Sequence, residues 1–357
     1  MLSTDTILLN HILTAVAKDG GSGVHFTVGS PPVMRKEGSL FVMDNEAAMT
    51  SEWIETIMSS FLLEEDRLAL EKEGEAVLVR TFNKVLRFRA HAYRQKGVYS
   101  LAFRYIPQCA DTISDLLLPP YLDRVSREKT GLTIVSGIHD SGKSTTTTAI
   151  INTLNKNGPS RYIMTLESPI ERLFASNVCI IEQREVGKDV ASYNQGLQLA
   201  VTGDIDMVFL DQITDELVVT RLLELLEVGK SALVVMNASS AVGALVNFLS
   251  RVPSYETVRA RRILSESLLS VLSQKLIHKI GGGRALVYEF LPNTELVPHM
   301  ISAGNLDQVR SMLYNLKVDD AAPFERGLAR LVESGEIRLD EALSEAEHPE
   351  MVKQMIR

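Results

Sequence analysis

Leu132-Thr133-Ile134-Val135-Ser136-Gly137-Ile138-His139-Asp140-Ser141-Gly142-Lys143-Ser144-Thr145 is the stretch on which the fold turns. It opens as an apolar, β-branched run and then matches G-x-x-x-x-G-K-S. Helical spacing follows through Ile150 and Leu154. A P-loop in this strand–loop–helix setting has a physical purpose. Gly142 lets backbone N–H groups face phosphates, and the loop feeds a helix N-terminus with partial positive charge. Lys143 reaches the β and γ oxygens, and Ser144 can bind Mg²⁺. Gly137, Asp140, Ser141, Gly142, Lys143, Ser144 and Thr145 are therefore the nucleotide-binding candidates, with a nucleoside triphosphate and Mg²⁺ the expected ligands. Asp140 is the odd member, because a carboxylate beside a triphosphate costs on the order of a few kcal/mol at an effective dielectric near 20. Either it points to solvent or nucleotide affinity is weakened.

Outward from this motif, Leu132–Ser136, Arg161–Leu166, Asp206–Leu210, Ala232–Met236 and Ala285–Phe290 are unalternated apolar runs separated by helical stretches. Strands of that kind predict a parallel sheet covered on both faces. Two acids end such strands: Glu167, where a base for water would sit, and Asp211, followed by Gln212, where an acid near Mg²⁺ is expected. Upstream the pattern differs. A helix over 5–18 precedes short runs at Val24–Val28, Val33–Lys36 and Leu40–Met43, then helices at Thr50–Leu62 and Glu64–Glu73. Strand-like Ala76–Thr81, Val85–Tyr93 and Tyr99–Tyr105 follow. This predicts an α+β domain over 1–107, a proline-bracketed linker over 108–120, the α/β domain over 121–292, and a helical C-terminal region over 293–357.

The 357-residue length points to two domains, and 45% apolar with 23% charged residues excludes disordered and fibrous classes. A net charge of −8 argues against nucleic acid as a partner. The apolar runs fall short of the roughly 18 to 20 residues a membrane span needs. The N-terminus has no secretory pattern, so a cytoplasmic location is expected. Cys109 and Cys179 cannot build a disulfide framework or a four-cysteine zinc site and are expected to be buried thiols. The seven histidines are scattered, with no pair at metal-ligand spacing.

Several blocks in order resemble the secretion-ATPase superfamily, and within it the type IV pilus retraction ATPases (the PilT/PilU group). They are Val28–Arg35, Phe103-Arg104-Tyr105-Ile106-Pro107, the P-loop, Thr165–Glu171, Glu182–Val186, Leu264–Leu268, Ser273–Leu276 and Lys279–Arg284. The last two, in succession, are characteristic of the retraction branch. The resemblance implies a PAS-like N-terminal domain, a RecA-like ATPase core and a hexameric ring. It implies docking on an inner-membrane platform protein of the pilus machine, without insertion in the membrane. It also implies Glu167 as the base for the attacking water and Arg104 as an arginine approaching the nucleotide.

The chain departs from the family pattern in places that matter. Ser168 replaces an aspartate. Asp211-Gln212 stands where a glycine-glutamate pair belongs, and a neutral amide supplies no anion for Mg²⁺. Thr214 replaces an arginine, and both family histidines are absent, at Lys230 and Asn237. Pro298 replaces an arginine within Leu296–Ile301 and is expected to break or kink that helix. Two readings follow: a retraction motor subunit hydrolysing ATP at a reduced rate, or a nucleotide-binding helper of an active paralogue in a homo- or hetero-hexamer. A pilus-assembly or secretion motor is the less favoured third.

Overall fold

A computed structural model describes residues 4–36, 38–108, 111–294, 296–315 and 322–356. Two compact units divide the chain: Met1–Gln108 with Pro169–Arg172, and Cys109–Ser168 with Leu173–Arg357. Cys109 itself lies outside the described residues.

The first unit runs α1 (Thr4–Lys18), β1 (Gly23–Phe26), β2 (Val33–Lys36), β3 (Ser39–Val42), α2 (Ser51–Phe61), α3 (Glu64–Glu73), β4 (Glu75–Phe82), β5 (Leu86–Gln95) and β6 (Val98–Ile106). Its strands form one antiparallel sheet in the order β3-β2-β1-β6-β5-β4. Alternation along the strands puts Phe26, Leu78, Phe88 and Phe103 on the face packed by Ile12 and Leu13 of α1 and by Trp53 and Ile57 of α2. Phe103 is the hub of this core, meeting Phe26, Phe61, Phe82 and Phe88 edge-on. Pro169–Arg172 belong to this unit through two arginines of β5. Arg87 donates to Glu171 O at 2.5 Å and Ile170 O at 2.7 Å, and Arg89 lies 3.3 Å from the Glu171 carboxylate.

The second unit runs α4 (Pro120–Ser126), β7 (Gly131–Gly137), α5 (Lys143–Asn157), β8 (Tyr162–Glu167), β9 (Ile180–Glu185), α6 (Tyr193–Thr202), β10 (Met207–Leu210), α7 (Glu216–Glu227), β11 (Ser231–Met236), α8 (Ala241–Leu249), α9 (Thr257–Ser267), β12 (Leu268–His278), β13 (Arg284–Pro292), α10 (Leu296–Ala303), α11 (Leu306–Asn315), α12 (Phe324–Glu333), α13 (Leu339–Glu345) and α14 (Pro349–Met355). The sheet order is β13-β12-β7-β11-β10-β8-β9, parallel from β12 to β9. Both faces are covered. Ile134, Leu166, Val208 and Val234 enter one core, while Val135, Ile163, Phe209 and Leu233 enter the other. This is why the runs do not alternate.

Three expectations need correction. Ala285–Phe290 lies in β13, which pairs antiparallel with β12 at the sheet edge, because only a short hairpin joins the two. Strands β9 and β12 have no counterpart among the runs singled out above. Pro298 does not break its helix: α10 spans Leu296–Ala303 with Pro298 in the first turn, where no intrahelical donor is needed.

α12, α13 and α14 gather Phe324, Leu328, Ile337, Ala342 and Val352 around Ile277 and Val287 of the β12–β13 hairpin. Glu289 of β13 is 2% exposed and accepts from Ala241 N at the head of α8, at 2.6 Å. Burial, reinforced by the nearby buried Glu325, pushes its carboxyl up to about 7. No helix among the described residues is long and apolar enough to cross a membrane.

Candidate functional site

Parallel strands deliver their carboxyl ends to one edge of the sheet, where open α/β folds bind ligands. β7 ends there in the P-loop. Gly142, at φ 91°, caps α5, and its carbonyl accepts from the N–H groups of Thr145 and Thr146. A side chain at Gly142 would be strained in that conformation. Lys143 donates to the carbonyls of Gly137 at 2.9 Å and Ile138 at 2.5 Å, so the ammonium lies within the loop's own curve. Ser144 is exposed in the first turn of α5, and its carbonyl is held by the Thr148 hydroxyl at 2.7 Å. Ser141 is 2% exposed, and its carbonyl accepts from Gln274 of β12 at 2.7 Å. Asp140 takes φ 60°, and its carboxylate meets Arg284 at 2.9 Å. Of the two alternatives for Asp140, the geometry is the outward one, with a cation attached.

β8 brings Glu167 to the same edge, 7% exposed. Its Oε1 accepts from the Thr165 hydroxyl at 2.7 Å and from the Gln183 amide at 3.1 Å. Both partners are donors, so Oε1 serves as an acceptor here, the role a general base must fill. Next to it, the register Leu166↔Leu210 sets Asp211 beside the start of the loop after β8. The Asp211 carboxylate accepts from Ser168 N at 2.9 Å and from the Tyr193 hydroxyl at 2.6 Å. That hydroxyl in turn accepts from the Gln212 amide at 2.9 Å. Burial, and then the Asp211 charge, raises the Tyr193 phenol above its ordinary range, so it stays a donor.

Arg104 stands on β6 in the first unit, exposed, opposite Gly23 and Arg89. The two positions of the family's absent histidines lie at opposite ends of β11. Asn237 follows its carboxyl end. Lys230 precedes its amino end, about 20 Å away at strand rise, and donates to the Ala200 carbonyl at 2.7 Å and the Gly203 carbonyl at 2.5 Å. Lys230 is therefore a helix cap for α6. Cys179 is buried, as expected, and its thiol is raised by burial.

Tyr193, Gln183 and Gln274 belong to the site's framework but were not singled out by sequence. Gln183 and Gln274 lie in the family-like stretches Glu182–Val186 and Ser273–Leu276, where spacing assigns them no role. Tyr193 carried no signal, since it follows an ordinary Ser192 helix cap.

The oxygens of Ser144, Asp211 and Gln212 are hard donors of the kind Mg²⁺ accepts, and Mg²⁺ takes only one or two of them beside water and phosphate. The donor set fits that ion.

Residues 117–305 match the family described as Type II/IV secretion system protein. The chain is 30% identical over 342 residues to the Type IV pilus retractation ATPase PilT of Pseudomonas aeruginosa, covering 96% of this chain and 99% of that one. It is 26% identical to the Type IV pilus ATPase PilU of the same organism, over 97% of this chain and 90% of that one. Among solved structures, that of the pilus retraction motor PilT with bound ADP superposes at a TM-score of 0.87, with 29% identity over 97% and 99% of the two chains.

Proposed function

This chain belongs to the type II/IV secretion system protein family, and we propose that within it the chain works as a type IV pilus retraction ATPase subunit, binding ATP with Mg²⁺. One observation carries the reading: the P-loop with Lys143 shares a sheet edge with Glu167 and Asp211. In this role the P-loop amides and Lys143 hold the phosphates, and Glu167, kept acceptor-ready by Thr165 and Gln183, takes the proton of the attacking water. Ser144 and Asp211, with Gln212, would hold Mg²⁺, which would supply positive charge against the phosphates. Residues 1–107 act as a PAS-like domain, 108–120 as a linker, 121–292 as a RecA-like core and 293–357 as a helical C-terminal region. Arg104 takes the role that the resemblance gives it, an arginine acting on the nucleotide. The working assembly is a hexamer, homomeric or mixed with a related retraction ATPase. It sits at the cytoplasmic face of the inner membrane on the pilus platform protein.

A second reading, a nucleotide-binding helper with weak hydrolysis, is favoured by Gln212. Its amide is engaged on Tyr193 and carries no charge for Mg²⁺. Steady-state ATP hydrolysis by the full chain with Mg²⁺ separates the two, measured beside Lys143→Ala and Gln212→Glu. A motor hydrolyses ATP and loses roughly two to three orders of magnitude with Lys143→Ala. A helper is weak or inactive until Gln212→Glu raises turnover. Hydrolysis that survives Lys143→Ala sinks the site assignment.

A further inference from the structure

The block Lys279–Arg284 has so far marked only a family branch. In the fold it is the turn of the β12–β13 hairpin. Gly281, Gly282 and Gly283 take φ of 92°, 103° and 78°, left-handed values that only glycine adopts in succession without strain. Gly282 N donates to Lys279 O, and Lys279 N to Gly283 O, at 3.2 and 3.0 Å. The turn sets Arg284 as the first residue of β13, opposite His278. From there its guanidinium reaches Asp140, at 2.9 Å to Oδ2 and 3.4 Å to the backbone carbonyl. The other strand of the same hairpin sends Gln274, 1% exposed, to the carbonyl of the next residue, Ser141. One hairpin thus grips two successive residues of the P-loop.

Asp140 makes this grip consequential. At φ 60° glycine is the easier residue, yet an anion stands there, in a loop whose ligand is itself a polyanion. We propose that Arg284 is a positioning residue for nucleotide binding. It neutralises the Asp140 carboxylate, and so lets the loop accept the more highly charged nucleotide without added repulsion. The proposal rests on the reading of this loop as a nucleotide site. The pair is too exposed, at 36% and 53%, to matter much for folding. A uniformly stabilising contact would affect all nucleotides alike. An unneutralised charge instead repels a triphosphate more than a diphosphate, because each added phosphate charge feels it.

Calorimetric titration of the full chain with ATP and with ADP tests this in the parent, Arg284→Gln, Asp140→Asn and the double variant, with melting temperatures as the folding control. Arg284→Gln is expected to weaken ATP roughly tenfold and ADP only about threefold. Adding Asp140→Asn returns both to within about threefold of the parent. Arg284→Lys, which keeps the charge, holds ATP affinity within about threefold as well. The proposal is overturned if Arg284→Gln leaves both affinities unchanged, weakens both equally, or stays weak in the Asp140→Asn background. A parent that takes up neither nucleotide at millimolar concentration overturns the nucleotide-site reading instead, and this assignment with it.

Discussion

Tyr193 gives to one neighbour and receives from another through a single oxygen: it donates to Asp211 and accepts from Gln212. Removing the hydroxyl leaves a half-buried carboxylate one donor short and an amide without its acceptor. Tyr193→Phe is therefore expected to lower stability by about 1–2 kcal/mol. Urea unfolding at neutral pH measures this, and an unchanged midpoint would refute it. Gln212 shows what such an arrangement asks of a residue, since its amide donates where a carboxylate could not. At this scale the P-loop was legible because its spacing is local. Tyr193 was not, because its role arises only when the start of α6 docks against the end of β10, and no spacing rule connects them. Asp140 was legible as a problem but not as a solution, since its answer, Arg284, comes from a hairpin far along the chain.

Helix α6 ends against a lysine from the next βαβ turn. Lys230 holds the carbonyls of Ala200 and Gly203, groups otherwise left without intrahelical donors at a helix C-terminus that also favours positive charge. Lys230→Met should therefore lower the unfolding free energy by about 1–2 kcal/mol without changing nucleotide affinity. Thermal melts and ATP titration together check it, and a loss of affinity with an intact fold would contradict the capping role. The missed strands have a common cause. β12 carries Ser270, Ser273 and Gln274 in its buried stretch, which interrupts the apolar run expected of an interior strand. Gln274 is there to face the P-loop. β9 reads Ile180-Ile181-Glu182-Gln183-Arg184-Glu185, polar because it is an edge. The Pro298 expectation failed on position alone, since proline is disruptive in a helix interior and harmless in the first turn.

Across the whole molecule, the P-loop sheet was legible from its apolar runs, but the direction of its last strand was not, because run length is the same for parallel and antiparallel neighbours. Acidity is a property of the assembled fold. Glu289 is held near 7 in the folded chain but titrates near the ordinary 4.5 when unfolded. Between those values the unfolded chain has released a proton that the folded chain retains, so stability falls as pH rises from about 4.5 to about 7. The contribution approaches roughly 3 kcal/mol by neutral pH. Glu289→Gln should flatten that part of the stability–pH curve, as followed by urea unfolding at several pH values. A slope identical to the parent would refute the assignment.

The excursion of Pro169–Arg172 also bears on how this chain can be divided. Because the first unit borrows four residues from beyond Ser168, no single stop codon after Gln108 reproduces it. Such a truncation takes from Arg87 both carbonyl acceptors and from Arg89 its carboxylate. A gene fragment meant to yield this body intact has to splice in the segment it borrows.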